Sequence, residues 1–499
     1  LGKPYSGNRP DGESMLPLQT AATPRADEVL HRRLLYATLL LGALVFYWKL
    51  GDIALMSFNE ARRALPAEGM FRSGDWLLPR LNGELYLAKP PLLYWLAAAC
   101  SWLFAAANEW AVRLPSALAA SLCVWGCYRY ARRAFGPWPA LLATQILIAN
   151  AGFALFARRA EIEMLLTTLC VASLLAALRY VRGDGGRIWL RLSYALLGLA
   201  MLTKGPLVLL FVTLPLFALA VQARSPRHWQ ALYDPLGWLI FLGLGLSWYA
   251  AVTWQLGWEV WLSIIEVDMV DKVQNSAADP FYDYVIWIMG DFFPASLLLL
   301  VRPLATVRRW WHDHDRKALL LAVAIPFLLY SLFSNKHAKY LLPVYPLLAL
   351  LLGVRLAELL ETSGDRLRRT VLALGIALPA LYALYFGLAE SRIYDYRIAA
   401  FPQFTQWLRT APPVPLYAYH TLDERLIYYA QRDIPVLDDA RLQDLGEKRS
   451  DMMVLVESGD GEKVAALADC RLRTFTPYLK RKKSLEVFGF GTACEEAGR

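Results

Sequence analysis

The run Leu34-Leu35-Tyr36-Ala37-Thr38-Leu39-Leu40-Leu41-Gly42-Ala43-Leu44-Val45-Phe46-Tyr47-Trp48 carries no charge and stands directly behind His31-Arg32-Arg33. Basic residues at one end of an apolar stretch keep that end on the inner side of a membrane. No small-residue cleavage pattern comes after it, so the run reads as a first spanning helix rather than a cleaved leader. Residues 1–33 read as a cytoplasmic N-terminal tail. Within it, residues 1–14 (Leu1 to Ser14) are polar, rich in Gly and Pro, and lead to Met15. That stretch reads as an expression remnant or a cytoplasmic tail and is set aside.

The rest of the chain repeats the theme. Of 499 residues, 57% are hydrophobic, 19% are charged and 18 are Trp. Soluble domains carry about 25% charged residues, so an ordinary soluble enzyme is excluded, and six Cys are too few for a disulfide scaffold. The net charge of +9 does not point to nucleic acid, because the Lys and Arg sit in short loops between apolar runs. Those runs lie near 34–50, 91–108, 112–130, 137–156, 161–181, 188–203, 206–223, 234–255, 281–302, 317–334, 340–360 and 370–389.

If all twelve cross, Arg129, Arg132 and Arg133 fall outside, against the positive-inside rule. Treating 91–108 as re-entrant or interfacial puts the later basic loops inside, including Arg179/Arg182/Arg187, Arg224/Arg227, Arg302 to Lys317 and Arg366/Arg368/Arg369. The expectation is therefore a polytopic α-helical membrane protein with an odd number of crossings, eleven or, with one segment split, thirteen. Its N-terminus is inside and its C-terminus outside. The membrane domain spans 34–389 and carries a large first outer loop, 51–90.

On this topology the polar chemistry gathers on the outer face, at 51–110, 157–163, 203–206, 256–280, 334–340 and beyond 390. Asn59, Glu60, Arg62, Glu84, Lys89, Glu161, Glu163, Lys204, Glu266, Asp268, Asp271, Lys272, Lys336, His337 and Lys339 all lie there. Any one of them reads equally as an interfacial or solvated group; together, beside a loop of that length, they mark a site. Asn59 reads as the cap of a helix running through Arg62 to about Arg72 and ended by Ser73-Gly74. No cofactor is required, although Glu84 and His337 would suit a divalent ion such as Zn. A transporter would place ionisable groups at mid-membrane and show internal repeats; neither is present in the sequence.

After 390 the pattern changes to short alternating runs. Strands are expected at 415–419, 434–437, 452–456, 471–477 and 484–489, with helices at 423–431, 440–446 and 461–468. Residues 390–499 thus read as a small outer α/β domain, in which oxidising conditions would allow a Cys470–Cys494 bridge.

Several stretches resemble the GT-C glycosyltransferases, within the protein O-mannosyltransferase-like branch that contains the bacterial aminoarabinose lipid A transferases. They are Asn59-Glu60-Ala61-Arg62, Gly74-Asp75-Trp76-Leu77-Leu78-Pro79-Arg80-Leu81-Asn82-Gly83, Lys89-Pro90-Pro91-Leu92-Leu93-Tyr94-Trp95, Arg113-Leu114-Pro115-Ser116, Leu202-Thr203-Lys204-Gly205-Pro206 and Lys339-Tyr340-Leu341-Leu342-Pro343. The resemblance covers about 34–360 in the same order. It implies a GT-C fold and transfer of 4-amino-4-deoxy-L-arabinose from undecaprenyl phosphate to a phosphate of lipid A, at the periplasmic face of the inner membrane. Masking those phosphates weakens cationic peptides such as polymyxin.

The family usually has Asp-Glu where this chain has Asn59-Glu60, and usually Asp where it has Glu163. Asn59 cannot remove a proton, which counts against a hydroxyl acceptor and suits a phosphate, already an oxyanion. A different sugar, such as galacturonate, and a protein O-mannosyl type remain open. The implied catalytic set is Glu60, Glu163 and Asn59. The implied phosphate and lipid set is Lys89, Arg62, Lys204, Lys272, Lys336 and Lys339, since cations stabilise a leaving phosphate. The expected partners are the lipid-linked donor, lipid A and membrane lipids, with the chain acting as a monomer.

Overall fold

From Met164 to Leu178, within Ile162–Val181, the chain carries no charged residue, and a helix that is apolar on all sides has to be surrounded. In the computed structural model, which describes residues 24–262, 279–448, 450–457 and 459–496, 18 of the 20 residues of this helix are buried, which makes it the axis of the membrane portion. Glu109–Ala134, Arg187–Lys204 and the 3₁₀ turn Ala338–Val344 pack around it. A second buried helix, Tyr345–Glu361, lies against Pro137–Ile148. There Gly353 is required by close approach, since a Cβ would stand 2.5 Å from the backbone nitrogen of Ala143. Small residues at such crossings let two backbones touch where lipid offers no hydrophobic drive. Pro24–Tyr47 and Asp365–Leu384 form the rim and expose Tyr36, Leu40 and Leu381.

Among the described residues, six helical segments are long and apolar enough to cross a membrane: Asp27–Tyr47, Glu109–Ala134, Ile162–Val181, Arg187–Ala223, Ala338–Glu361 and Asp365–Ile393. Two bent pairs raise the number to eight at most. Pro137–Ile148 with Ala151–Ala157 bends by 68°, and Pro226–Gly245 with Ser247–Leu256 by 46°. The eleven or thirteen crossings expected from hydropathy include shorter and broken segments besides these. Arg187–Ala223 is broken at Gly205, whose φ of 76° ends Arg187–Lys204, and its 37 residues make about 55 Å of helix against a core of about 30 Å, so it holds both runs, 188–203 and 206–223. The run at 281–302 divides into Asp283–Asp291 and the 3₁₀ turn Ala295–Leu300. The run near 317–334 belongs to His314–Ser331, whose first turn carries His314, Asp315, Arg316 and Lys317. Leu92–Phe104 has 13 residues, about 20 Å of helix against a core of about 30 Å. That is too short for a crossing, as the charge pattern of the next loop requires.

The first loop folds into the helix Phe58–Ser73 and a hairpin of β1 (Arg80–Leu81) with β2 (Glu84–Leu85). Gly74, at φ 74°, closes the helix in the left-handed region. Its N-cap is Ser57, whose side chain accepts from the Glu60 amide. Asn59 is therefore inside the first turn, a correction to its reading as the cap.

The alternating pattern beyond 390 returns as β3 (Leu416–Tyr419), β4 (Val436–Leu437), β5 (Met452–Glu457), β6 (Cys470–Phe475) and β7 (Leu485–Phe490). The sheet order is β4-β3-β5-β7-β6. β3 runs parallel to β4 and β5, while β7 is antiparallel to β5 and β6. The expected helices form at Glu424–Ala430, Asp439–Glu447 and Gly461–Leu467. Cys470 and Cys494 are joined in a disulfide. This sheet is fastened to the first loop at several points. Arg62 pairs with Glu424 at 2.6 Å, the Leu55 amide donates to the Tyr429 hydroxyl, and Asn82 exchanges two hydrogen bonds with the backbone of Ile434.

Gly353→Val, which forces a side chain into the backbone of Ala143, is expected to lower stability by about 1–3 kcal/mol. The check is the apparent Tm of the detergent-solubilised chain, with exposed Gly243→Val as the control.

Candidate active site

Glu60 and Arg63 lie three residues apart on Phe58–Ser73, and that spacing turns both to the buried face. Glu60 has no exposed surface. Its carboxylate accepts from Arg113 Nε at 2.9 Å and Nη2 at 3.2 Å, from the Met56 amide at 2.7 Å and from the Ala160 amide at 3.0 Å. Arg159 approaches at 3.5 Å and also pairs with Glu390 at 2.6 Å. Burial alone would raise the Glu60 pKa; Arg113 and Arg159, with these hydrogen bonds, instead hold it at about 2. Arg113 directs its remaining donors to the carbonyls of Leu50, Ile53 and Ala54.

The Ala160 amide ties this pair to the start of Ile162–Val181. Glu161 sits at the N-cap and Glu163 in the first turn. Lys339 Nζ reaches Glu161 at 3.0 Å and Glu163 at 3.7 Å, and Lys204 Nζ reaches Glu163 at 3.5 Å while lying over the ring of Tyr340. Burial and the charge of Glu163 push Glu161 above the ordinary carboxylate range, against the pull of Lys339. Arg63 donates to the hydroxyls of Tyr94 at 2.9 Å and Tyr86 at 3.2 Å. Burial works against its charge, but Tyr94, Tyr86 and Glu163 raise its pKa on balance. Three cations thus surround two carboxylates in a largely buried space, which leaves a positive charge in excess.

The residues named from sequence divide between this cluster and other places. Glu163, Lys204 and Lys339 meet in it, and Glu60 underlies it. Asn59 is half-buried, with no side-chain hydrogen bond among the described residues. Lys89 is half-buried and donates to the carbonyl of Ala88. Arg62 turns the other way, to Glu424 and the face of Phe58, so its neighbour Arg63 supplies the inward cation. Lys336 is buried and donates to the carbonyls of Asp279 and Phe333; its ammonium group is committed to holding the chain. Lys272 lies outside the described residues. Glu84 is exposed on β2 and His337 packs edge-on against Tyr340. Among the described residues no three His, Cys, Asp or Glu side chains come together as a metal site.

Residues 88–254 match the model of dolichyl-phosphate-mannose-protein mannosyltransferases, and residues 278–411 match the Alg9-like mannosyltransferase family. An undecaprenyl phosphate-α-4-amino-4-deoxy-L-arabinose arabinosyl transferase of Pseudomonas paraeruginosa is 30% identical over 385 residues, 73% of this chain and 68% of the relative. The chain belongs to the aminoarabinose transferase family. Its fold is that of the family: a crystal structure of ArnT from Cupriavidus metallidurans bound to undecaprenyl phosphate superposes with a TM-score of 0.74 at 20% identity, covering 93% of this chain and 98% of that one. The Archaeoglobus fulgidus oligosaccharyltransferase superposes at 0.59 and 12% identity, over 88% and 71%. As a member of the aminoarabinose transferases, the chain is a polyprenyl-phosphate-dependent glycosyltransferase.

Within this transferase sequence reading passed over Arg63 and Arg159, and named Arg113 and Glu161 without giving either a role. Arg113 opens the Arg-Leu-Pro-Ser stretch, and Arg63 was signalled by its three-residue spacing from Glu60. Nothing local marks Arg159, whose partners come from Phe58–Ser73 and Glu390–Ile393.

The fall of the Glu60 pKa from 4.5 to about 2 corresponds to roughly 3 kcal/mol of stability. A depressed carboxylate stabilises the fold above its unfolded pKa and loses that contribution as pH falls toward its folded pKa. Glu60→Gln is therefore expected to melt well below wild type at neutral pH, with the gap closing between about pH 4.5 and 2. Differential scanning fluorimetry across that window checks it, and a gap independent of pH contradicts it.

Proposed function

We propose that the chain transfers 4-amino-4-deoxy-L-arabinose from undecaprenyl phosphate to a phosphate of lipid A at the periplasmic face of the inner membrane, acting as a monomer. The observation that carries the reading is the cluster of Lys204, Lys339 and Arg63 around Glu161 and Glu163, whose excess positive charge suits a phosphate. Family membership supplies the sugar and carrier, since the relatives' name specifies both. The disulfide Cys470–Cys494 supports placing the sheet on the oxidising, outer side.

In this reading the C1–O bond between sugar and undecaprenyl phosphate breaks, and its electron pair goes to the departing phosphate. Lys339 and Lys204 stabilise that charge, with Arg63 as the third cation of the cluster. An oxygen of the lipid A phosphate attacks C1 from the opposite side, forming the new glycosyl phosphate with inversion. The attacking oxygen is already anionic, so no proton has to leave and no base is needed. That agrees with an amide at Asn59. Glu163, with Glu161, faces the positive charge that develops at C1 and the ammonium of the aminosugar. Glu60 acts as a positioning residue, because its carboxylate is sealed by Arg113 and two backbone amides. The low dielectric around the cluster strengthens every one of these attractions.

The test is expression in a Gram-negative strain lacking its own transferase, with lipid A then analysed by mass spectrometry. Wild type is expected to add the mass of one or more aminoarabinose groups. Lys339→Ala at equal membrane level is expected to lose about a hundredfold of the product-forming rate, and Glu163→Gln a comparable amount. Unmodified lipid A from well-expressed wild type overturns the substrate assignment, and an undiminished Lys339→Ala overturns the residue assignment.

A further inference from the structure

The last apolar segment, Asp365–Ile393, exposes Leu381, Leu384, Leu388 and Ile393 along its outer side. That lipid-facing stripe carries the membrane boundary to the neighbourhood of Ile393. Immediately there the sequence becomes basic and aromatic: Arg392, Tyr394, Tyr396 and Arg397, with Asp395 as the only acid among them. Tyr at such a depth is ordinary. Arg392 and Arg397 stand beside these rings at the end of the lipid-facing span, both exposed.

A second segment, distant in sequence, adds to the same place. Arg481 lies over the ring of Tyr396 at 5.4 Å, and Arg397 lies over Tyr396 at 5.7 Å and Tyr394 at 5.1 Å. Two guanidinium groups therefore share one ring. Arg481 is flanked by Lys480 and Lys482, all three exposed, in a turn closed by the Tyr478 amide to the Lys483 carbonyl at 2.8 Å and the Lys483 amide to the Lys480 carbonyl at 3.0 Å. Leu479 holds this turn in the left-handed region at φ 58° while its side chain packs into the sheet's core. A branched, non-glycine residue held there is backbone strain, retained where it presents Lys480, Arg481 and Lys482 to the outside. Lys483 is paired with Glu457 at 3.9 Å. Among the described residues none of Arg392, Arg397, Lys480, Arg481 and Lys482 takes part in an ion pair. Five like charges are thus gathered at the membrane boundary by aromatic contacts and a fixed turn, against the single exposed acid Asp395 in the same segment.

We infer that this patch is a docking surface for the phosphate headgroups of anionic phospholipids, by which the β3–β7 sheet is held down on the membrane. The charges complement a negatively charged leaflet, whose attraction for each Lys or Arg acts only within a Debye length of the surface. The patch meets that condition because it begins at the residue where the lipid-facing stripe ends. Helix Glu424–Ala430 of the same sheet grips Phe58–Ser73 through Arg62–Glu424, so a docked sheet also holds the first loop in place. The inference does not depend on which sugar or acceptor the enzyme uses.

Hydrogen–deuterium exchange of the full chain in nanodiscs tests it. Discs of phosphatidylcholine alone are compared with discs containing about one third phosphatidylglycerol, at low salt and at about 0.5 M salt. In the anionic discs at low salt the amides of 478–484 are expected to exchange roughly tenfold more slowly, and to lose that protection at high salt. The triple variant Lys480→Gln, Arg481→Gln and Lys482→Gln is expected to show no difference between lipids, while Lys480→Arg with Lys482→Arg retains it. An intact Cys470–Cys494 bridge and an unchanged Tm confirm that the variants fold. Equal exchange of wild type in both discs overturns the inference. So does protection that arises only when a phosphorylated glycolipid is added to neutral discs, which would assign the surface to an acceptor instead.

Discussion

Everything at the site depends on the buried pair Glu60–Arg113. Taking two charges out of water is costly, and the cost is met only where every lone pair and proton finds a partner. Here the carboxylate has Arg113 and two backbone amides, and the guanidinium has three carbonyls besides. Those partners come from three separate places: the 50–56 segment, the turn at 158–161 and helix Glu109–Ala134. The pair therefore fixes how these three meet, and losing either member would strand the other charge in the interior. Ala160, whose amide it holds, immediately precedes Glu161. The start of the helix that carries Glu161 and Glu163 is thus held by this buried ion pair.

Much of the architecture was legible in sequence because it rests on periodicity. The short apolar runs after 390 gave the strands β3 to β7 within one or two residues, apart from β4, where only Val436–Leu437 pairs. The run 91–108 reads as re-entrant or interfacial because the Arg129–Arg133 loop would otherwise fall on the wrong side, and its helix, Leu92–Phe104, is indeed short. Helix continuity was less legible, since hydropathy registers apolar length alone. The breaks before Asn150 and after Asp291 interrupt apolar runs without a change of composition, whereas the break at Gly205 falls where hydropathy also separates two runs.

The site was legible in residue type and partly in position. Lys204 and Lys339 come from distant segments, and sequence order alone could not show that both reach Glu163. Arg62 and Arg63 differ by one residue, which on a helix is a rotation of about 100°. Asn59-Glu60-Ala61-Arg62 drew attention to the first, while the face defined by Glu60, Ala64 and Ala67 belongs to the second. Lys336 shares a loop and a charge with Lys339, yet its ammonium group donates to two carbonyls. Only tertiary structure separates a lysine that can meet a ligand from one that is part of the backbone's own hydrogen bonding.

The charge balance of the cluster also bears on how the proposed reaction would proceed. With no donor present, Glu161 and Glu163 satisfy the ammonium groups of Lys339 and Lys204, and the site is held together without a ligand. A phosphate entering beside the lysines competes for the same protons and weakens their hold on Glu163. That carboxylate is then left facing the sugar, where positive charge develops at C1. The donor would thus prepare the group that stabilises its own transition state. A preformed, buried cluster can do this with little reorganisation, and avoiding reorganisation is where the catalytic advantage of fixed charges lies. Glu163 lies within reach of both Lys204 and Lys339, so one side chain couples the two cations that the proposed reaction would set against the departing phosphate.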